Sequence, residues 1–547
     1  MQLKRRSTFV LICLGIAWAW DQLFWEQAFG LNFFLWVTLL VAGGLLFTRQ
    51  QEEQPDKRAL LLLIPIAFFS AMAFVRLEPL TSFLNVVATL LLLGLFAHTY
   101  RGGRWLSYEL SDYLRGAFSV ALDALSRQVI VFNKQQKPAV AEEGETKSSS
   151  WNTAFGLLRG LLLAIPVLLI FTLLLSEADP IFEQAVEDVF EFFRIENIVE
   201  FIWRGVWISI LAYLLSGVYL HALRKDNDEK LINKGEGWQP RFLGFTEAAV
   251  VLGLVNLLFI SFVIIQFQYF FGGQQTLILQ DLTYAEYARR GFGELVTVAF
   301  FALLMYTSFS SVTKREASAQ QKGFSAMGVL LVLLIGVMLV SSWQRLLLYE
   351  NAFGFTRLRT YTHVFIPWLG LLLAAVVVLE LVGRQRRLAL VMLIAGLGFV
   401  ASLNIVNVDA FITVQNLARD HDETITDNLG RDGGQQTDIY YLSTLSADAL
   451  PAMARAFNAA TAAGGSRDVI AGALACSSLQ NDPLRHADDG WRGFHLSRYR
   501  ALQQWRIWRE RPDFEELFVP NYDDQDYVYW VLVDGQPTSC YGYDWTP

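Results

Sequence analysis

Between Thr8 and Asn404 the chain is a succession of apolar runs. Each is long enough for an α-helix to cross a hydrocarbon layer of about 30 Å, which takes about 20 residues. In lipid a backbone N–H or C=O has no water to bond, so such a run closes its hydrogen bonds within itself as a helix. The expected spans are 8–24, 29–47, 58–75, 79–99, 157–176, 199–222, 246–270, 291–309, 324–345, 361–382 and 387–404. Composition agrees, since 54% of the 547 residues are hydrophobic and only 18% charged, less charge than a soluble chain of this length carries. The basic start MQLKRRSTFVLICLGIAWAW lacks a small-residue cleavage pattern and reads as a signal anchor.

Orientation follows from the basic residues, because loops rich in Lys and Arg stay cytoplasmic. With the N-terminus inside, the inner segments hold 24 Lys and Arg and the outer ones eight: Arg76, Arg194, Arg204, Arg289, Arg290, Arg345, Arg357 and Arg359. The fold expected is therefore an all-α polytopic membrane protein of about 11 transmembrane helices. It ends in a C-terminal, mostly helical extracytoplasmic domain with a small terminal β-hairpin. Residues 1–100 make a four-span membrane region and 101–156 a cytoplasmic interfacial helix and linker. Residues 157–404 form the seven-span main membrane domain and 405–547 the extracytoplasmic domain. The setting implied is a bacterial inner membrane, with the N-terminus cytoplasmic and the C-terminus outside.

Within 405–547, YLSTLSADALPAMARAF has helical apolar spacing and predicts a core helix. Alternating Tyr and Val before Asp-Gly in DYVYWVLVDGQPTSC predicts the hairpin. Cys476 and Cys540 either form a disulfide or are two buried thiols.

Five of the outer arginines fall in two segments, YAEYARRGFGEL (284–295) and RLLLYENAFGFTRLRTYTH (345–363). In the first, Glu286, Arg290 and Glu294 follow at four-residue intervals, an acid–base–acid ladder on one helix face beside Arg289. In the second, a turn at Asn351–Gly354 and an N-cap at Thr356 put Arg357 and Arg359 in the first turn of a helix. The helix dipole disfavours cations there by about 0.3–1 kcal/mol each. Negative partners are therefore expected: Glu350, the Glu286–Glu294 ladder, or an anionic ligand such as a lipid phosphate, which suits the planar fork of Arg. The candidate ligand site is Glu286, Arg289, Arg290, Glu294, Arg345, Glu350, Arg357 and Arg359. Its alternative reading is inter-helix ion pairing that fixes packing.

YAEYARRGFGEL, RLLLYENAFGFTRLRTY, NVDAFITVQNLAR and YLSTLSADALPAM resemble a family of bacterial polytopic membrane proteins known as a domain of unknown function (DUF4173-like, related to DUF4153). The resemblance runs from about residue 80 to about 510, and Val408 stands where that family commonly has Pro. It implies a fold and no chemistry.

Catalytic residues cannot be assigned: there is no nucleotide-binding loop, no nucleophile elbow and no kinase signature. The six histidines show no ligand spacing, so neither metal nor cofactor is expected. A net charge of −8 argues against nucleic acid as a partner. Membrane lipids are the expected partners, with an envelope protein engaged through 405–547. The competing functions are a transporter or flippase and, less favoured, a polyprenyl-phosphate-dependent glycosyltransferase with Asp21 and Glu26 in its first outer turn. The expected function is binding or sensing of an anionic envelope component at the arginine/glutamate cluster.

Reporter fusions check the topology: a fusion after Lys322 is expected in the cytoplasm, and fusions after Leu417 or at Pro547 on the opposite side. A cytoplasmic reporter at Pro547 would overturn the orientation.

Overall fold

A computed structural model describes residues 6–102, 104–134, 172, 195–224, 242–271, 292–315, 317–420, 438–460, 466–480, 490–523, 527–533 and 535–541. Among these, ten helical segments are long and apolar enough to cross a membrane. They correspond to ten of the eleven expected spans; the remaining one, 157–176, lies outside the described residues apart from residue 172. Leu254, Leu257 and Leu258 each keep 63% of their surface exposed. Bare leucines at this density are stable against lipid chains, not water.

The described residues form two compact units. The first comprises Met1–Gln22, Gly43–Gln51 and Ala121–His221. It contains most of α1 (Arg6–Phe24), the end of α2 (Leu31–Gln50), the second half of α6 (Leu110–Lys134) and nearly all of α7 (Ile195–Ala222). A Cβ on Gly43 would come within 2.5 Å of Ile16, and one on Gly44 within 3.0 Å of Tyr219, so the glycine pair permits the close approach of α2. Helix α6 is the one expected in the cytoplasmic interface. In the structure its second half lies alongside α7: Asp123 pairs with His221 at 2.8 Å, and Tyr213 donates to the Leu125 carbonyl. Gly217 makes room for Ala124.

The second unit holds Leu23–Ala42, Glu52–Val120 and Ala222–Pro547. Helices α3 (Lys57–Leu60) and α4 (Leu63–Val75) form one span and α5 (Pro79–Thr99) the next. Then come α8 (Phe245–Phe271), α9 (Phe292–Val312), α10 (Ser318–Phe353), α11 (Arg357–Leu381) and α12 (Leu388–Val406). Helix α10 has 36 residues, a length of about 54 Å, and so reaches well beyond a hydrocarbon core. It stops at Gly354, whose φ of 74° suits a residue without a Cβ. Asn407, left-handed at φ 55°, ends α12 and redirects the chain into α13 (Val408–Asp420).

The C-terminal region contains α14 (Ile439–Ser443), α15 (Leu450–Ala459), α16 (Ser466–Gln480), α17 (Leu496–Arg509) and α18 (Phe514–Phe518). The single core helix expected over YLSTLSADALPAMARAF is in fact two, α14 and α15, parted by a turn. The expected terminal hairpin is likewise part of a three-stranded antiparallel sheet: β1 (Asn521–Asp523), β2 (Val528–Val533) and β3 (Gln536–Ser539). The extra strand forms because Tyr522 pairs with Tyr529, their rings 4.7 Å apart, an aromatic cross-strand contact. Val531 and Val533 pack on Gly472 of α16, where a Cβ would meet them at 3.1 and 3.3 Å. Cys476 and Cys540 are joined across a sequence separation of 64, a loop closure worth roughly 4 kcal/mol in the chain-entropy account. One core runs from Leu403 of α12 through Val408 and Ile412 of α13 to Leu442, Met453 and Trp505. Residues Leu84, Tyr361 and Val364 of the membrane spans pack against it.

Candidate functional site

Three turns meet at one end of the second unit: 76–78 between α4 and α5, 354–356 between α10 and α11, and Asn407 between α12 and α13. Pro79 at the first helical position and Glu78 as N-cap start α5. The Glu78 carboxylate accepts from the Leu80 amide (3.0 Å), the Thr81 amide (2.7 Å) and the Thr81 hydroxyl (2.5 Å). Its Oε1 also accepts the hydroxyl of Tyr361 from α11.

The amides of Leu77 and Glu78 point the other way and donate to Asp448 Oδ2 at 2.6 and 3.0 Å. Asp448 Oδ1 accepts the Ser497 hydroxyl, and Arg76 Nη1 stands 4.0 Å away. Burial raises the pKa of Asp448 against these donors, and burial also lowers that of Arg76, with Asp448 opposing and Arg500 assisting. Arg76 Nε donates to the Asn404 carbonyl at 2.8 Å, and Asn404 and Asn85 exchange amide hydrogen bonds of 2.7 and 2.9 Å. His495 Nε2 meets the Arg76 carbonyl at 3.2 Å, which assigns the proton to Nε2. Burial, aided by Arg498, lowers the pKa of His495 to about 4.

Arg357 opens α11. Its Nε and Nη2 each donate at 2.8 Å to Asp409, a bidentate pair with a carboxylate that has no exposed surface. Asp409 lies in the first turn of α13, where the helix dipole favours an anion. It also accepts the Ser446 amide at 2.7 Å. Arg357 further donates from Nη2 to the Thr444 carbonyl (3.1 Å) and from its backbone to the Tyr441 hydroxyl (2.7 Å). The Asn416 amide brackets the preceding turn, accepting from Phe355 N at 2.7 Å and donating to its carbonyl at 3.0 Å.

The sequence-derived residues are distributed as follows. Arg357 has Asp409 as its carboxylate, an acid that the sequence reading did not weigh. Glu350 takes His363 instead, at 3.0 Å, with the imidazole 4.4 Å from Trp343. Arg345 donates to Gln266 at 3.1 Å, and Gln266 also accepts Ser341 at 2.9 Å. Arg359 lies 3.9 Å over the Tyr349 ring and donates to the Phe353 and Gly354 carbonyls. Thr356 occupies the N-cap position, but its side chain makes no capping bond. Glu294 is exposed in the first turn of α9, while Glu286, Arg289 and Arg290 lie outside the described residues. In the first unit, Asp21 accepts hydrogen bonds from Arg204 at 2.5 to 3.1 Å.

Glu78, Asp409 and Asp448 are buried and met by donors, so the cluster holds chain segments together. Among the described residues no group of three His, Cys, Asp or Glu could hold a metal ion. The signal for these acids was present in the motifs: Asp409 belongs to NVDAFITVQNLAR, and Thr444, Ser446 and Asp448 to YLSTLSADALPAM. These segments converge with Arg357 and Tyr361 of RLLLYENAFGFTRLRTY.

Fold and site define a multi-pass, membrane-spanning class of protein whose C-terminal domain is locked onto the ends of its helices. The chain belongs to the family described as domain of unknown function (DUF4153), whose model matches residues 63–456. No curated protein and no solved structure matches it.

Arg357→Gln strands the Asp409 carboxylate and is expected to cost about 3–5 kcal/mol. Arg357→Met combined with Asp409→Leu should recover more than half of that loss, because no unpaired charge remains. Thermal unfolding of the three proteins checks this, and equal losses in single and double variants would show the pair to be uncoupled. A second expectation concerns pH. His495 has a folded pKa of about 4, below the ordinary imidazole value of 6.5. Its contribution is thus present above pH 6.5 and lost as pH falls toward 4, roughly 2 kcal/mol between pH 7 and pH 5. Asp448, with its raised folded pKa, acts in the opposite sense: its contribution is present below 3.8 and lost as pH rises. Comparing the pH dependence of melting in wild type and His495→Asn isolates the histidine, and identical profiles would refute its role.

Proposed function

We propose that this is a multi-pass protein of a bacterial inner membrane, with its N-terminus cytoplasmic and its C-terminal domain outside. It binds an anionic envelope component, a lipid or lipid-linked phosphate, at the outer-face arginine cluster. Occupancy is passed to the C-terminal domain, which engages a partner.

The observation that carries this reading is the contrast between two arginines in one helical turn. Arg357 has a full carboxylate partner, whereas the described contacts of Arg359 are two carbonyl oxygens and the face of Tyr349. Those partners are neutral. The positive charge of Arg359 adds to the positive end of α11, and both attract an anion. The proposed site thus centres on Arg359; Glu286, Arg289 and Arg290 of the candidate set lie outside the described residues. Arg357 supplies the link, because an anion that shifts the first turn of α11 pulls on Asp409, Tyr441 and Thr444 together.

Dihexanoyl phosphatidic acid titrated into the full chain in neutral detergent is expected to raise the melting temperature of wild type. Arg359→Gln should abolish most of that rise while changing the lipid-free melting temperature less than Arg357→Gln does. An undiminished rise in both Arg359→Gln and Arg289→Gln/Arg290→Gln would remove the binding hypothesis and leave structural ion pairing.

A further inference from the structure

The segment joining the 3-10 turn Trp491–Gly493 to α17 is fixed at the edge of the membrane spans. The Phe494 carbonyl accepts from the amide of Leu31, the first residue of α2, at 2.9 Å. The Ser497 Oγ, whose hydrogen faces Asp448, stands 2.8 Å from the carbonyl oxygen of Val75, the last residue of α4. Gly30 is pressed against the same strand of chain, where a Cβ would meet the Phe494 carbonyl at 2.7 Å. Residues 494–497 therefore sit level with two span ends, at the boundary between hydrocarbon and headgroups.

The exposed side chains of these segments include three aromatics and two arginines, with Glu26 exposed in the same turn as Phe29. Trp491 is 63% exposed, Arg492, Tyr499 and Arg500 are exposed near it in the chain, and Phe29 is exposed next to Gly30. The Phe494 and Tyr499 rings, 5.8 Å apart, tie the turn to the helix. Trp and Tyr favour the headgroup layer, where an apolar ring and a polar edge are both satisfied. Arg presents a planar fork that matches phosphate oxygens.

We infer that Phe29, Trp491, Arg492, Tyr499 and Arg500 form a surface that rests on the adjacent leaflet and takes the phosphates of anionic phospholipid headgroups. This surface is separate from the one centred on Arg359 and does not depend on it. It also gives the C-terminal domain a second hold at the membrane, apart from the Arg357–Asp409 pair.

The test is titration of dioleoylphosphatidylglycerol into the full chain in maltoside micelles, read by melting temperature, with dioleoylphosphatidylcholine as the zwitterionic control. Wild type and Arg506→Gln/Arg509→Gln, altered further along the same helix, are expected to be stabilised selectively by phosphatidylglycerol. Arg492→Gln/Arg500→Gln should need about 30-fold more of it for the same shift, two cations lost from a lipid surface. Its response to phosphatidylcholine should be unchanged, and Arg492→Lys/Arg500→Lys should regain most of the effect. A wild-type response in Arg492→Gln/Arg500→Gln, or an equal loss in Arg506→Gln/Arg509→Gln, would overturn the inference. Loss of the response in Arg359→Gln alone would also overturn it, while leaving the anion site at Arg359 standing.

Discussion

A carboxylate with no exposed surface is costly to bury unless a cation and hydrogen-bond donors meet it, and the arrangement of this protein follows from how that demand is met at Asp409. Its partner Arg357 comes from the start of a membrane-spanning helix, its amide donor Ser446 from a turn in the C-terminal domain. Once both are satisfied, α11, α13 and the Thr444–Ala449 turn have one relative position. The same logic recurs at Asp448, which closes off two backbone amides between α4 and α5 and a hydroxyl of α17. Glu78 completes the set by capping α5 and receiving Tyr361.

These polar locks sit on a hydrophobic core that does not stop where the spans end. Leu403 in the last span and Ile412, Leu474 and Trp508 in the C-terminal domain belong to one cluster. Apolar burial supplies non-directional attraction, and the buried charges decide which arrangement of the helices is allowed. A domain joined in this way moves with the helix ends. Arg357, which makes this connection, lies two residues before Arg359 on the same helical turn.

The arginine cluster illustrates how far local pattern reaches. In the sequence Arg357 is a cation in an unfavourable position, and the dipole of α11 calls for a negative partner. The acids that local pattern offers are Glu350 and the ladder of Glu286 and Glu294, near in sequence or on one helix face. Asp409 is 52 positions away and comes into range only because Asn407 turns the chain back over the helix end. Four-residue spacing reports contacts within a helix and is silent about contacts between helices. The split of the expected core helix into α14 and α15 has the same origin: Ser446 and Asp448 are drawn into bonds with Asp409 and the 76–78 turn, and tertiary bonds outweigh helix propensity.

Sequence alone determined the membrane-spanning helices, because about twenty apolar residues in a row satisfy a requirement of the solvent, one segment at a time. It also marked Gly354 and Thr356 as the turn before α11, and Val528–Ser539 as paired strands, since backbone conformation at turns and alternation in strands are local properties. Only the tertiary structure decided that Arg357 belongs to Asp409, that Asp448 binds the turn between α4 and α5, and that β1 joins the sheet. Those choices depend on which distant groups share a dry volume, where every charge and amide must find a partner and many pairings share the same spacing in the chain.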